Sequence, residues 1–353
     1  MGSRGLITPV GAAKLPANLT ARSWVLVDLD SGTVLAARDP HGRYQPASIL
    51  KCLTALTVLP NLPAKRLVTV SGTAASTEGS AVGLLAGAKY TVDDLFRALL
   101  LVSGNDAAVA LAEANGGVAT TVREMNVEAR ALGAYDTYVE TPSGLDGWQQ
   151  LTSAYDMALI LRSAVDNSRL VAYDKTMSAT YPPKSSRYGQ VGPYQFENQT
   201  MDFFQHVPGA IFAKTGFTDA AAHTFLAAAQ RHGRRLGVVF LRNQRTPIDQ
   251  WQQAAALFNW GYSLPASVTP IGVLAGPIGA SDGDHREAGA SQVPKPTTDE
   301  SQPASRPPRP LQAAAGEFNR ARSILGLSAA ALAILGAVVA IRRLIRRPAP
   351  RRR

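Results

Sequence analysis

Short hydrophobic runs typical of β-strands lie near both ends of the central part of the chain. Near the N-terminus, residues 24–27 and 34–37 flank the turn-forming segment 28–33, a pattern that predicts a β-hairpin. Near the other end there are three strand-like runs, at residues 211–215, 223–229 and 236–241. A tight polar turn joins the last two of these runs, so they predict a second hairpin.

Between the strand-like runs, apolar residues recur every three or four positions, as expected of amphipathic helices. The predicted helices cover residues 47–59, 92–114 with a break at 103–105, 121–132 and 154–165, and a further helix, 248–262, follows the last strand. The simplest arrangement is an antiparallel sheet of N- and C-terminal strands packed against a mostly helical middle region. The sequence therefore predicts an α/β fold.

An apolar run from Ile324 to Ile341 contains no charged residue. As a helix it would be ~27 Å long, close to the ~30 Å hydrocarbon thickness of a bilayer. A buried core helix is the alternative, but such a helix rarely lacks a polar stripe. The run is followed by a basic tail, which the positive-inside rule places in the cytoplasm. We therefore expect a single-pass protein of the cell membrane with its folded domain outside the cytoplasm.

These composition changes divide the 353 residues into five parts. They are an N-terminal segment (1–22), a folded domain (23–264), a linker rich in Pro, Ala and Ser (265–323), the transmembrane helix (324–341) and the basic tail (342–353). Residues 1–19 contain no apolar stretch of signal-peptide length. Either an export signal precedes Met1, or the chain is tail-anchored with its domain in the cytoplasm, and the chemistry discussed below favours the first.

The formal net charge of +10 does not indicate nucleic-acid binding, because the basic residues are unevenly placed. Without the seven arginines of residues 342–353, 29 basic residues remain against 26 acidic ones. Arginines beside an apolar span are more simply explained as anchors of topology that contact anionic lipid. The single cysteine, Cys52, excludes an intramolecular disulfide, and no His/Cys cluster has zinc spacing, so we expect no metal and no cofactor.

Ser48 and Lys51 open the predicted helix 47–59 and are three residues apart, so they share one helix face. The N-terminus of a helix favours negative charge developing on Ser48. If Lys51 is buried, its pKa falls and its neutral amine can act as a general base. Taken alone, the motif is weak evidence, because a capped helix with an incidental lysine is the commoner explanation.

Two further motifs carry groups suited to the same chemistry. Ser103, Gly104 and Asn105 separate two helical runs, where they could form a turn or project a hydroxyl and an amide into a cleft. Lys214, Thr215 and Gly216, on a predicted strand, could present a cation and a hydroxyl to a carboxylate, or simply form an edge strand with a solvated lysine. Together the three motifs have the order S-x-x-K, S-x-N, K-T-G that is typical of penicillin-binding proteins and class A β-lactamases.

On these motifs the chain resembles the low-molecular-mass penicillin-binding proteins, serine-type D-alanyl-D-alanine carboxypeptidases of peptidase family S11, over about residues 24–262. Its membrane-tethered form is similar to actinobacterial members. The resemblance implies a β-lactamase/transpeptidase-like α/β fold and a peptidoglycan stem peptide ending in D-Ala-D-Ala as substrate. It also implies β-lactam antibiotics as covalent inhibitors.

The resemblance further implies a role for each motif residue. Ser48 is the nucleophile, Lys51 its base, Ser103 a proton relay to the departing amine, and Asn105 holds the substrate backbone and orients Lys51. The substrate-binding residues follow from the third motif: Lys214 supplies positive potential, Thr215 binds the terminal carboxylate, Gly216 admits the substrate and Phe217 shares the oxyanion hole with Ser48. Arg242 and Arg245 are both candidates for a second carboxylate contact.

Three alternatives remain open from the sequence. A class A β-lactamase adds a glutamate for deacylation, and the candidates, none in a recognisable context, are Glu113, Glu124, Glu128, Glu140 and Glu197. A non-catalytic wall-binding module is possible, although all the motif residues are intact. Carboxypeptidase, endopeptidase and transpeptidase activities share one acyl-enzyme and differ in the acceptor. Cys52 and His223 are predicted to be packed residues and not catalytic ones.

Overall fold

The computed structural model describes residues 4–181, 194–265 and 267–276. The strands, in chain order, are β1 (Leu6–Ile7), β2 (Ser23–Asp28), β3 (Thr33–Arg38), β4 (Leu67–Thr69), β5 (Lys89–Thr91), β6 (Ser178–Tyr181), β7 (Tyr194–Glu197), β8 (Ala210–Thr218), β9 (Ala222–Arg231), β10 (Arg234–Asn243) and β11 (Gly272–Val273). The helices are α1 (Lys51–Val58), α2 (Gly72–Ala75), α3 (Val92–Leu101), α4 (Asn105–Ala114), α5 (Val118–Ala131), α6 (Ala154–Asp166), α7 (Ser168–Asp174), α8 (Met201–His206) and α9 (Gln250–Ser263). A 3₁₀ turn, Ala47–Leu50, leads directly into α1.

The main sheet is antiparallel and has the strand order β1-β3-β2-β10-β9-β8, with β11 also paired to β3. Every residue of β2 is buried, because both faces of the sheet are covered. Successive side chains of β2 alternate between two cores, as the two-residue period of a strand requires. Val25 and Val27 join the larger core, and Trp24 and Leu26 join the smaller one.

The larger core lies between the sheet and the helical middle region, and α1 runs through it. All eight residues of α1 are buried, and it contacts α3, α4, α5 and α6. The smaller core lies on the other face of the sheet, where α8 and α9 cover it. The predicted sandwich of terminal strands and a helical middle region is therefore confirmed. The lysine near the start of α1 is consequently in the interior.

The long elements follow the sequence prediction closely, and the differences are local. The predicted helix 47–59 begins as a 3₁₀ turn, and the predicted break near 103–105 separates α3 from α4. The linker was predicted to begin at 265, but β11 pairs with β3 and Leu274 is buried. This last difference arises because β11 covers part of β3, which otherwise would offer an open edge.

The predicted membrane helix (324–341), the basic tail (342–353) and the linker from 277 onward lie outside the described residues. Among the helices that the structure describes, none combines the length and the apolar character needed to cross a bilayer.

Candidate active site

Ser48 and Lys51 face each other at the junction of the 3₁₀ turn and α1. The Lys51 Nζ atom lies 2.8 Å from the Ser48 Oγ atom, within hydrogen-bond distance. Lys51 is fully buried, whereas Ser48 lines an open cleft. The two side chains therefore share one face, as predicted, and a hydroxyl is in contact with an amine suited to act as its base.

Two further acceptors orient the Lys51 amine. Its Nζ donates to the Asn105 side-chain oxygen at 2.7 Å and to the Ser143 backbone oxygen at 2.5 Å. Burial lowers the pKa of Lys51 well below its usual value, and the positive charge of Lys214 lowers it further. The neutral form of the amine, which can take the Ser48 proton, is thereby favoured.

Two glycines allow neighbouring segments to press against the Ser48 turn. A Cβ on Gly144 would lie 2.1 Å from the Ala47 carbonyl oxygen, and a Cβ on Gly216 would lie 2.6 Å from the Ser48 backbone nitrogen. Gly144 has φ +82° and Ala47 itself has φ +49°, conformations that L side chains rarely adopt. The position of the nucleophile thus depends on close backbone packing from both sides.

The second motif brings a serine and an asparagine to the same place. Ser103 has φ +64°, is buried and lies at the cleft, and its buried Oγ has no hydrogen-bond partner among the described residues. Asn105, the first residue of α4, accepts from Lys51 and donates its amide to the Glu78 carbonyl at 2.6 Å. The second motif therefore places a serine and an asparagine at the site, in agreement with the second of the two interpretations, that the motif carries a hydroxyl and an amide into a cleft.

Sequence reasoning did not identify Asp106, which supports the wall of the cleft. Its buried carboxylate accepts the backbone N–H groups of three consecutive loop residues, Val82, Gly83 and Leu84, at 2.9–3.3 Å. This bonding fixes the loop that carries Ser80, a cleft-lining residue. The sequence signal was an acidic residue directly after the second motif.

The third motif lies on β8, next to the Ser48 turn. Lys214 is buried, so the solvated-lysine reading is wrong, and burial lowers the pKa of Lys214 to about 8. Its Nζ donates to the Thr215 carbonyl at 2.8 Å. Thr215 Oγ1 faces the Gln250 side-chain oxygen at 3.2 Å, and Phe217 is half exposed against His223.

Behind this motif lies a group of buried ionisable side chains. Asp174 accepts the Ala213 N–H at 2.7 Å, and burial raises the pKa of Asp174 to about 8 despite the nearby Lys214 charge. Burial likewise raises the pKa of the Cys52 thiol, so this side chain is an unreactive core residue, as predicted. Asp174 was not identified from the sequence, since it lies 40 positions from Lys214 and no motif connects the two residues.

The cleft in front of these residues has a volume of about 390 Å³. Of the predicted site residues, Ser48, Ser103, Thr215, Gly216 and Phe217 line it. Lys51, Asn105 and Lys214 are buried. The remaining lining residues include Arg245, Asp249, Gln250, Trp251 and His223.

The arginines, the histidine and the glutamates considered in the sequence differ in whether they line the cleft. Arg245 belongs to its wall and forms an ion pair with Asp249 at 2.6 Å, whereas Arg242 donates to the Ala220 carbonyl outside it. His223, on β9, is partly exposed at the edge of the cleft, and its ring packs against Phe217 with the ring centroids 4.7 Å apart. The glutamates considered for a β-lactamase, Glu113, Glu124, Glu128, Glu140 and Glu197, are all absent from the lining of this cleft.

Known proteins are similar in sequence to this chain over the region that carries the site. A family model described as D-alanyl-D-alanine carboxypeptidase, peptidase S11, matches residues 10–245. The D-alanyl-D-alanine carboxypeptidase DacB2 of Mycobacterium tuberculosis is 39% identical over 262 residues, which cover 73% of this chain and 87% of that protein. DacD of Salmonella typhimurium, also a D-alanyl-D-alanine carboxypeptidase, is 31% identical, with coverages of 73% and 67%.

Solved structures are similar over the same region. A crystal structure of a D-alanyl-D-alanine carboxypeptidase from Mycobacterium tuberculosis H37Rv matches with a TM-score of 0.70 and 38% identity, over 76% of this chain and 99% of that one. A mutant DD-transpeptidase from Streptomyces matches with a TM-score of 0.65 and 26% identity, over 70% and 100%.

Proposed function

Since the chain belongs to the D-alanyl-D-alanine carboxypeptidase family, peptidase S11, and is a serine-type hydrolase of that family, we propose that it removes the terminal D-alanine of peptidoglycan stem peptides through an acyl-enzyme on Ser48. The observation that carries this proposal is the 2.8 Å contact between the Ser48 hydroxyl and the buried Lys51 amine at the floor of an open cleft.

In the acylation step, Ser48 Oγ attacks the carbonyl carbon between the two terminal D-alanines while its proton passes to the Lys51 amine. The backbone N–H groups of Ser48 and Phe217 receive the developing oxyanion, a contribution of ~3–4 kcal/mol per donor in other enzymes. The C–N bond then breaks, and Ser103 relays a proton to the departing amine of D-alanine. This role is supported by the place of Ser103 at the cleft and by its Oγ, which has no hydrogen-bond partner among the described residues.

The third motif suits the other end of the substrate. The Thr215 hydroxyl faces the cleft, and Lys214 lies directly behind it as a buried positive charge. A terminal carboxylate placed there would gain a charge-assisted hydrogen bond. Arg245, on the wall of the same cleft, is a second cation within the site.

In the second step, water attacks the ester carbonyl, the acyl–oxygen bond breaks and Ser48 recovers its proton. The product is a peptide shortened by one D-alanine. A β-lactam presents a similar acyl group to Ser48 and acylates it, which makes β-lactams covalent inhibitors in this proposal. Among the residues that the structure describes, no glutamate lines the cleft, which supports slow loss of that adduct.

We propose in addition that residues 324–341 anchor the enzyme in the cell membrane with its domain on the outer side. The support is the uncharged apolar run and the arginines that follow it. Peptidoglycan lies outside the membrane, so this topology places enzyme and substrate together.

Incubation of the full chain with a soluble pentapeptide ending in D-Ala-D-Ala, followed by mass spectrometry, tests the function. We expect loss of one alanine residue with the wild-type chain and no product with Ser48→Ala, which lacks the nucleophile. A fluorescent penicillin should label the wild-type chain and not the variant. Formation of peptide dimers, an unchanged peptide or rapid turnover of a chromogenic cephalosporin would contradict the carboxypeptidase assignment.

A further inference from the structure

A shallow groove of about 380 Å³ on the surface of the domain is lined by three exposed aromatic side chains. Trp148 is 93% exposed, Tyr135 49% and Tyr138 45%. We call these three residues the aromatic platform. Exposing a large aromatic side chain to water is unfavourable, and a cluster of exposed aromatic side chains is typical of a binding surface.

Polar side chains share the groove with the platform. Asp136 is held by His41 at 2.9 Å and by Arg43 at 3.1 Å, and Gln149 and Arg130 also line the surface. A sugar ring has apolar C–H faces and polar edges, so it fits flat aromatic rings bordered by charged and amide groups. An amphipathic tryptophan or tyrosine provides such a contact with few rotatable bonds to fix.

The backbone holds the platform residues in place before any ligand arrives. Tyr138 and Leu151 exchange two backbone hydrogen bonds, at 2.9 and 3.1 Å. The Gln149 N–H donates to the Glu140 carboxylate at 3.1 Å. These bonds fix the backbone on which Tyr138 lies and the backbone next to Trp148, which lowers the entropy lost on binding.

The platform is continuous with the active site through one short segment. The Ser143 carbonyl accepts from Lys51, and Asp146 accepts from the Thr218 hydroxyl at 2.6 Å. Trp148 follows Ser143 by five residues, so its Cα lies within ~18 Å of the Ser143 Cα. Trp148 and the carbonyl that accepts from the Lys51 amine thus belong to one loop.

The direction of the substrate leads toward this loop. In the proposed function, the terminal carboxylate binds at Thr215 and the reacting carbonyl lies at Phe217, so the peptide follows β8 toward Thr218. The Thr218 hydroxyl donates to Asp146, which lies in the loop that carries Trp148. The remaining stem peptide, and the glycan strand to which it is attached, would leave the cleft on that side.

We propose that the aromatic platform binds the glycan strand of peptidoglycan and thereby favours polymeric substrate over free peptide. This proposal rests on the proposed function for its substrate, but it concerns a separate surface. Two measurements with the full chain test it.

The first measurement is cosedimentation of the inactive Ser48→Ala chain with insoluble glycan strands from which the stem peptides have been removed. We expect binding that weakens about tenfold on adding Trp148→Ala, the loss that corresponds to one aromatic contact. Trp148→Phe retains an aromatic face and should recover most of the binding. Leu67→Ala, at a 59% exposed position on β4, is the matched control and should bind normally. Failure of the Ser48→Ala chain to sediment, or equal binding by Trp148→Ala, overturns the proposal.

The second measurement compares kcat/KM for polymeric peptidoglycan with kcat/KM for the soluble pentapeptide. Trp148→Ala should lower the ratio of the two about tenfold, whereas a merely structural defect would lower both equally and leave the ratio unchanged. An unchanged ratio therefore contradicts the proposal. If the wild-type chain cleaves neither substrate but still binds glycan strands, the proposed function fails while the platform assignment stands.

Discussion

At the scale of single residues, the chemistry depends on the burial of Lys51. A lysine in water is protonated at neutral pH and cannot accept a proton from a serine. The interior position on α1 and the nearby Lys214 charge disfavour the ammonium form. Asn105 and Ser143 supply the acceptors that a buried amine requires. Desolvation and orientation of one side chain therefore produce the general base.

This burial predicts a pH profile for kcat/KM with the pentapeptide. The rate should rise with pH as Lys51 loses its proton, and this rise should end well below pH 10.5, the usual lysine pKa. It should fall again as pH passes about 8, because Lys214 then loses the charge that faces the substrate carboxylate. Lys51→Arg stays protonated throughout and should be inactive at every pH. A rate independent of pH between 5 and 10 would contradict the role of Lys51, as would activity of Lys51→Arg.

Most of the residues at the site could be predicted from the sequence, because they belong to three short motifs that occur in a recognisable order along the chain. The Ser143 carbonyl could not, since any residue provides a backbone oxygen and only the fold brings this one to Lys51. Asp106 and Asp174 act on backbone N–H groups far away in the chain, a role without a local signature. The alternative of a non-catalytic module is disfavoured by the hydrogen bonds that join Ser48 and Asn105 to Lys51.

At the scale of elements, the nucleophile is positioned by contacts between segments and not by α1 alone. Ser48 lies in a 3₁₀ turn whose N-cap has no side-chain hydrogen bond, so the turn is not held by a capping residue. Instead, Gly144 and Gly216 bring a loop and β8 against its backbone. Long elements were predictable from their periodicity, whereas β4, β5 and α2, with three or four residues each, are too short to show one.

The loop contact predicts a specific effect of Gly144→Ala. The new Cβ would overlap the Ala47 carbonyl, so we expect the Ser48 turn to shift and kcat/KM for the pentapeptide to fall about 100-fold. Gly87→Ala is the matched control: Gly87 has a similar positive φ, +79°, but no atom lies within 4 Å of its added Cβ. In both variants, alanine at a positive φ costs ~1–2 kcal/mol of backbone strain, which urea unfolding would measure. The loss of activity should appear only in Gly144→Ala. Equal activities of the two variants would show that the contact does not position Ser48.

At the scale of the whole molecule, the domain extends past the boundary that the sequence predicts. Composition changes at Pro265, since proline, alanine and serine become frequent there, and a linker was the natural interpretation. Pairing with an edge strand requires few apolar residues, because the backbone supplies the hydrogen bonds. Ile271 and Leu274 donate their N–H groups to Val34 and Gly32, at 2.9 and 2.7 Å. A strand of two residues such as β11 therefore cannot be recognised from the composition of the segment.

The neighbours Leu274 and Val273 allow this boundary to be tested in the full chain. Leu274 is 6% exposed and belongs to the larger core, whereas Val273 is 57% exposed. Removing the buried side chain creates a cavity, so Leu274→Ala should lower the free energy of unfolding by ~2–3 kcal/mol. Val273→Ala removes surface side-chain atoms only and should change it by less than ~0.5 kcal/mol. Urea unfolding of both variants measures the difference. If the two variants unfold at the same urea concentration as the wild-type chain, the segment after α9 contributes nothing to the domain, and the linker begins where the composition changes.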